Sequence, residues 1–240
     1  MFDKFNFYDF LGYLLPGAAV SLMVYWVGRY AFGVPFPELQ PDLGSSFLFL
    51  GLSYVAGHLV QGFGSMYEQS LNKTPSGTRL RLSEKLLQAP AADGLSADVI
   101  AQVKAAASWV FGVKEEKDIF EQAYALVVQK GLDQHTSVFL ALNGLARGML
   151  AATGAGVVLA ELVAWKQLLA MDLVASSGLP AGGLWRISSL DLGLALVAML
   201  ALIPVGLLFN REFNRFRGYF ARSVYYNFLA WYGSERLAKG

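Results

Sequence analysis

Four long apolar blocks constrain this chain more than any other feature. A helix needs about 20 apolar residues to cross the hydrocarbon core of a bilayer. The first block runs from about Phe10 to Phe32 and contains Pro16-Gly17. The second runs from about Phe47 to Gly64. The third runs from about Gly148 to Trp165, with room to extend at both ends. The fourth runs from about Leu192 to Phe209 and contains Pro204. Backbone polar groups must be satisfied internally in hydrocarbon, so each block is predicted to be a helix. The second block is barely long enough and carries His58 and Gln61; without it the topology would invert after it. The predicted fold class is all-α: a polytopic membrane helical bundle of about four spans, with a cytoplasmic helical insert and an amphipathic C-terminal helix.

Composition agrees with the block pattern. The chain is 55% hydrophobic and 15% charged, where a soluble domain carries roughly 25% charged residues. A net charge of +1 supplies no global field for nucleic acid or for an acidic partner. The absence of cysteine removes disulfides, thiolate metal sites and cysteine nucleophiles together. Two histidines, His58 and His135, do not by themselves make an ordinary zinc site. The expectation is therefore no metal and no cofactor. The first block differs from a signal peptide in its weak start, where Lys4 lies among Asp3 and Asp9. It is also longer than a typical h-region and lacks an A-x-A site, so it reads as a retained span.

Lysine and arginine set the orientation. The loop from Gly33 to Ser46 has none. The segment from Tyr67 to Arg147 has nine: Lys73, Arg79, Arg81, Lys85, Lys104, Lys114, Lys117, Lys130 and Arg147. The loop after the third block has Lys166 and Arg186, and the tail has Arg211, Arg215, Arg217, Arg222, Arg236 and Lys239. Alternation then places both termini and the long segment on the cytoplasmic side of a bacterial inner membrane. Pro35, Pro37 and Pro41 make the first outer loop short and extended. Tyr30, Trp165 and Trp185 fall where an outer aromatic belt would sit. The expected domains are the first two spans (1–66), the cytoplasmic insert (67–135), a stalk with the last two spans (136–209) and a basic aromatic interfacial tail (210–240).

The insert has soluble character. Pro75-Ser76-Gly77 and the stretch from Pro90 to Gly94 are breakers. Ser96 is a good N-cap, and Leu95 and Ile100 have hydrophobic-staple spacing around it. Apolar residues then recur at Val99, Ile100, Val103, Ala107, Val110 and Phe111, and again at Ile119, Phe120, Ala123, Tyr124, Val127 and Val128. Both runs have helical period, and the simplest arrangement is a hairpin that buries one stripe against the other. The functional alternative is that one stripe docks on a partner or ligand. Eight basic residues between Tyr67 and Ala146 face nine acidic ones, which argues against a nucleic-acid surface. From Gln134 the polar helix is predicted to run on into the third span, with Thr136 to Arg147 as a juxtamembrane stalk.

Ionisable groups inside apolar blocks are functional candidates by default. Arg29 and Glu161 sit near the outer ends of the first and third spans. They could pair, snorkel separately to the interface, or line a pore. His58 and Gln61 share a face of the second span, consistent with an interhelical hydrogen-bond role or with a proton or ion path. Arg147, with Asn143 one turn earlier, is expected to contact lipid headgroups. Gly144, Gly148, Ala152, Gly156 and Ala160 recur every four residues. Such a stripe lets another backbone approach closely, within the chain or from a second copy. Gly57, Gly62 and Gly64 make no phosphate loop, since no Lys-Ser/Thr follows. No zincin, nucleophile-elbow or paired-carboxylate pattern occurs, so no catalytic residue is expected. In the tail, Phe213, Phe216, Phe220, Val224, Phe228 and Trp231 form one stripe, while Arg211, Arg215 and Arg222 fall on another face. That is the pattern of a helix lying on an anionic leaflet; packing on the insert is the alternative.

The opening Phe7-Tyr8-Asp9-Phe10-Leu11-Gly12-Tyr13-Leu14-Leu15-Pro16-Gly17 resembles the start of a loose group of uncharacterised bacterial four-span inner-membrane proteins. An arginine at the stalk end, Arg147, and the arginine and aromatic segment from Arg215 to Tyr226 extend the resemblance over about a fifth of the chain. Some members are thought to be membrane effectors in phage defence, and the resemblance implies that role here. The leading expectation is a non-enzymatic homo-oligomer whose cytoplasmic helices sense a signal or protein partner and alter membrane permeability. The alternatives are an anchor or scaffold for a soluble partner, and a small transporter.

Overall fold

The computed structural model describes residues 7–36, 42–72, 81–88, 90, 94–177 and 189–239, with the side chains of 7, 171–192 and 239 excepted. Lys4, Pro37, Pro41, Lys73, the Pro75-Ser76-Gly77 breaker, Arg79, Trp185 and Arg186 lie outside these described residues. Every regular element among the described residues is helical. The first helical rod, α1, covers residues 7–31 and contains two π-helical stretches, Phe10–Leu14 and Val27–Ala31. It is followed by α2 (Leu43–Leu71), α3 (Leu82–Gln88), α4 (Ala97–Phe111), α5 (Glu116–Gln129), α6 (Gln134–Ser177) and α7 (Ser189–Lys239). Among the described residues, four segments are long and apolar enough to cross a membrane: Phe10–Ala31, Leu43–Leu71, Gln134–Ala170 and Gly193–Ala238.

Helix boundaries follow local chemistry. Asp42 starts α2 by accepting from the Ser45 backbone N–H at 2.9 Å and the Ser45 hydroxyl at 2.8 Å. These bonds hold its carboxyl below the usual carboxylate range. The second apolar block lies inside a 29-residue helix that extends beyond it at both ends. Residue 134 does begin a single unbroken helix that includes the third apolar block. α7 is likewise unbroken through Pro204. Proline removes one backbone donor there, a defect that neighbouring helices and local adjustments can absorb.

The chain divides into two compact units. One has its described residues from Ser65–Gly144 and Glu212–Gly240, with Phe7 and Tyr8. Its core joins Leu86 and Leu87 of α3, Leu95, the α4 stripe Ile100, Val103, Ala106 and Ala107, and the α5 stripe Ile119, Ala123 and Val127. Ala221, Val224, Tyr225 and Phe228 of α7 complete it. The expected hairpin is thus closed by a third long helix. Two short helices bury too little apolar surface to be stable alone. The tail stripe is used largely within the protein: Phe213, Val224 and Phe228 are fully buried, the last two in this core, and Phe220 and Trp231 pack against it. Val128, expected in the α5 stripe, is exposed.

The N-cap of α4 forms as expected, with the Ser96 hydroxyl accepting from the Val99 N–H at 3.4 Å. Leu95 and Ile100 are both buried, as a staple requires. Gly112 closes the same helix at φ 69°, a left-handed conformation natural to glycine. Lys104 donates to Glu116 at 2.8 Å and pulls its carboxyl below the usual range. Ser96→Ala should cost about 1 kcal/mol of stability, read as a lowered melting midpoint of the full chain in detergent.

The second unit comprises Asp9–Gly64 and Leu145–Arg211 and holds the apolar parts of α1, α2, α6 and α7. Its interior is built by glycines rather than large side chains. A Cβ on Gly17 would land on the Ser53 carbonyl oxygen and lie 2.5 Å from the Gly57 nitrogen. A Cβ on Gly57 would land on the Tyr13 carbonyl oxygen. α1 and α2 therefore meet backbone to backbone, the approach that small residues permit.

Candidate functional site

A polar joint lies in this second unit and starts from Pro16. Proline has no N–H to donate to the carbonyl four residues back, which is that of Gly12. Gly12 sits in the π-helical stretch Phe10–Leu14 and is buried. Its carbonyl accepts from the Gln61 amide nitrogen. The Gln61 amide oxygen accepts from Arg147 Nε at 2.8 Å. One buried amide, 4% exposed, thus links a carbonyl on α1 to a cation on α6. Such satisfaction is what a buried polar group requires.

Glycines set the spacing around the joint. A Cβ on Gly148 would fall 2.6 Å from Pro16 Cγ and 2.7 Å from Gln61 Nε2. A Cβ on Gly64 would fall 2.7 Å from Arg147 Cγ. The joint needs a bare backbone at both positions. Ser53, one helical face along, is fully buried, and its hydroxyl has no hydrogen-bond partner among the described residues.

The structure rearranges several expected pairings. Gln61 and Arg147, expected in separate roles, meet. Arg147, for which lipid headgroups were the expected contact, donates from its guanidinium to a protein amide. His58 and Gln61 do not share an interior: Gln61 is buried while His58 is exposed, its ring 4.3 Å from that of Tyr13 and 4.7 Å from that of Tyr54. Residues three apart lie about 60° from each other around a helix, so the edge of the buried face passes between Gln61 and His58. Arg29 donates to the Tyr25 hydroxyl at 3.0 Å and the Phe36 carbonyl at 3.3 Å. Glu161 is exposed. The nearby cation that sequence reasoning passed over is Lys166, which donates to the Ala31 carbonyl at the end of α1 and lies over the Phe32 ring.

The small-residue stripe of α6 is used within the chain. Gly148 faces Pro16 and Gln61, and Gly156 faces Met23 and Leu202. Ala152 and Ala160 are buried as well, and Gly144 belongs to the other unit. An apolar groove of about 640 Å³, lined by Trp26, Tyr30, Leu159, Ala195 and Leu202 among others, opens beside it.

In the tail, Arg211 is exposed, Arg215 lies 3.6 Å from Glu212 and bonds the Tyr219 hydroxyl, and Arg222 bonds the Gly218 carbonyl. The arginine with buried contacts is instead Arg217. Its guanidinium meets Glu68 at 3.2 Å and Asn72 at 2.7 Å and sits over Phe213. The sequence carried a signal for this, since Arg217 is four residues from Phe213 and seven from Val224, on the buried stripe itself.

Among the described residues no group of three or more His, Cys, Asp or Glu side chains could hold a metal ion. The fold and joint define an all-helical protein with four candidate membrane-crossing helices and a separate helical module. Compared with protein families, with curated proteins and with solved structures, the chain matches none.

Proposed function

We propose that this chain is a non-enzymatic bacterial inner-membrane protein. Its helical module, on the cytoplasmic side, receives a signal or partner, and its span unit responds by altering membrane permeability. The observation that carries this reading is the joint of Gly12, Gln61 and Arg147. Polar and charged groups at membrane depth are costly and mark functional positions, and π-helical stretches often do the same. A single amide that bridges a freed carbonyl and a cation can exchange partners, which supplies a two-state element. Arg147 rides on α6, which begins at Gln134 and ends at Ser177. A defence role fits this reading through the resemblance at Phe7 to Gly17. A second copy of the chain is no longer needed to account for the α6 stripe.

Expressing cells loaded with a membrane-potential dye test the reading. The wild-type chain should depolarise them, and Gln61→Leu, which keeps the volume but removes both hydrogen bonds, should change the response. Unchanged potential with both proteins present in the membrane fraction would overturn the permeability output.

Anchoring of a soluble partner is the second reading. It is favoured by the exposed Trp109 beside Tyr232, an aromatic pair on the module surface with ring centroids 5.5 Å apart. Capture experiments for that reading must include residues 212–240, because the module core is incomplete without Tyr225 and Phe228.

A further inference from the structure

The apolar groove beside the α6 stripe is walled by the span-unit parts of α1, α6 and α7. On α1 it is lined by Leu22, Met23, Trp26 and Tyr30, and Ala31 is the last residue of that wall. Its volume of about 640 Å³ is in the range of ligand sites. The three walls belong to segments long and apolar enough to cross a membrane, Phe10–Ala31, Gln134–Ala170 and Gly193–Ala238. A groove that opens at that depth meets hydrocarbon, and a void there would forfeit dispersion contacts along its lining. In a bilayer, an acyl chain is the apolar group at hand to fill it.

The Ala31 end has a different character. Ala31 is the last residue of the first of those segments, the level at which a span reaches the headgroups. There Lys166 donates to the Ala31 carbonyl, and its ammonium lies 5.3 Å from the centre of the Phe32 ring. A carbonyl is neutral, so this bond leaves the ammonium its full charge. Lys166 is about one helical turn from Val163, which lines the groove. Glu161 is exposed and is not part of the lining. Trp26 and Tyr30 stack with ring centroids 4.6 Å apart, and both are exposed, as aromatic side chains are at a membrane interface. The groove is apolar along its length and cationic at one end, which is the complement of an anionic lipid.

We propose that this groove binds one acyl chain of an anionic phospholipid, with the lipid phosphate at Lys166. The site rests on the reading of the chain as a membrane protein. It does not depend on the permeability output.

The test uses the full chain reconstituted in phosphatidylcholine vesicles, with insertion checked by flotation. Lipids with dibrominated acyl chains quench tryptophan on contact. The Trp26 signal is the difference between the wild type and Trp26→Phe. Brominated phosphatidylglycerol is expected to quench it at about fivefold lower mole fraction than brominated phosphatidylcholine, the advantage one basic residue gives at an anionic headgroup. Lys166→Gln should abolish that advantage, and Lys166→Arg, which keeps the charge, should retain it. Ala198→Phe, which fills the groove from α7, should reduce quenching by both lipids. Equal quenching by the two lipids in the wild type overturns the proposal. So does a preference unchanged in Lys166→Gln, or quenching unchanged in Ala198→Phe. A Trp26 quenched by neither lipid would place protein in the groove and overturn it as well. Failure to float would overturn the membrane reading and the site with it, whereas flotation with equal quenching overturns the site alone.

Discussion

Gly17→Val should prevent the span unit from packing. Its Cβ would occupy the space of the Ser53 carbonyl oxygen and approach the Gly57 nitrogen and Cα. These are backbone atoms of a 29-residue helix, so neither can swing aside as a side-chain tip would. Relief requires the two helices to separate, which strips contact from Tyr13 to Gly57 and pulls Gly12 away from Gln61. Overpacking typically costs about 1–3 kcal/mol, and a backbone clash of this kind belongs at or above the top of that range. Gly57→Val should behave alike, since it meets the Tyr13 carbonyl. Gly51→Ala and Gly62→Ala are the controls: neither added Cβ meets anything within 4 Å, and alanine is the better helix former by about 0.5–1 kcal/mol. Detergent-solubilised protein, followed by thermal melting and size-exclusion profile, separates the two groups. Normal melting of Gly17→Val would show that α1 and α2 do not pack at these glycines.

Arg217→Ala should carry the second large effect, this time in the helical module. The variant removes the guanidinium from Glu68 and Asn72 and its packing over Phe213. Arg217 is 9% exposed at the side chain and Glu68 is 25% exposed. Breaking a fully buried pair costs about 3–5 kcal/mol, and the partial access of Glu68 to solvent reduces this to about 2–4 kcal/mol. Glu68→Gln in the Arg217→Ala background should recover part of the loss, because it removes the carboxylate left behind. That recovery is the signature of a coupled pair in a double-mutant cycle. Arg215→Ala, at a side chain 56% exposed, should change stability by less than about 1 kcal/mol. Equal effects at 215 and 217 would refute the distinction drawn between the two arginines.

The elements were legible, but the partners were not. Ser96, Leu95 and Ile100 identify the start of α4 because capping and stapling act within one turn. The stripes of α4 and α5 were readable from period alone, yet the sequence suggested that they cover each other. Their third wall comes from residues 221–228, about a hundred positions downstream, and no local signal reaches that far. The tail shows the same ambiguity from the other side. An apolar stripe flanked by arginines suits an anionic membrane surface and a protein core equally well. Tertiary structure chose the core, and Arg217 on the buried stripe was the residue that told the two apart.

The polar joint divides in the same way. Pro16 announces a freed carbonyl at Gly12, and Gln61 announces a polar group needing satisfaction in an apolar block. Their meeting depends on Gly17 and Gly57 bringing two helices together, which no spacing rule specifies. By itself the sequence determined four helices long enough to cross a membrane and a helical module between the second and third. Hydrophobic length, caps and helical period are properties of contiguous residues, and helical hydrogen bonds close within four positions. Only the tertiary structure decided which glycines touch, which arginine is buried and which amide holds Arg147, because those outcomes depend on non-local packing in which one face can satisfy several neighbours.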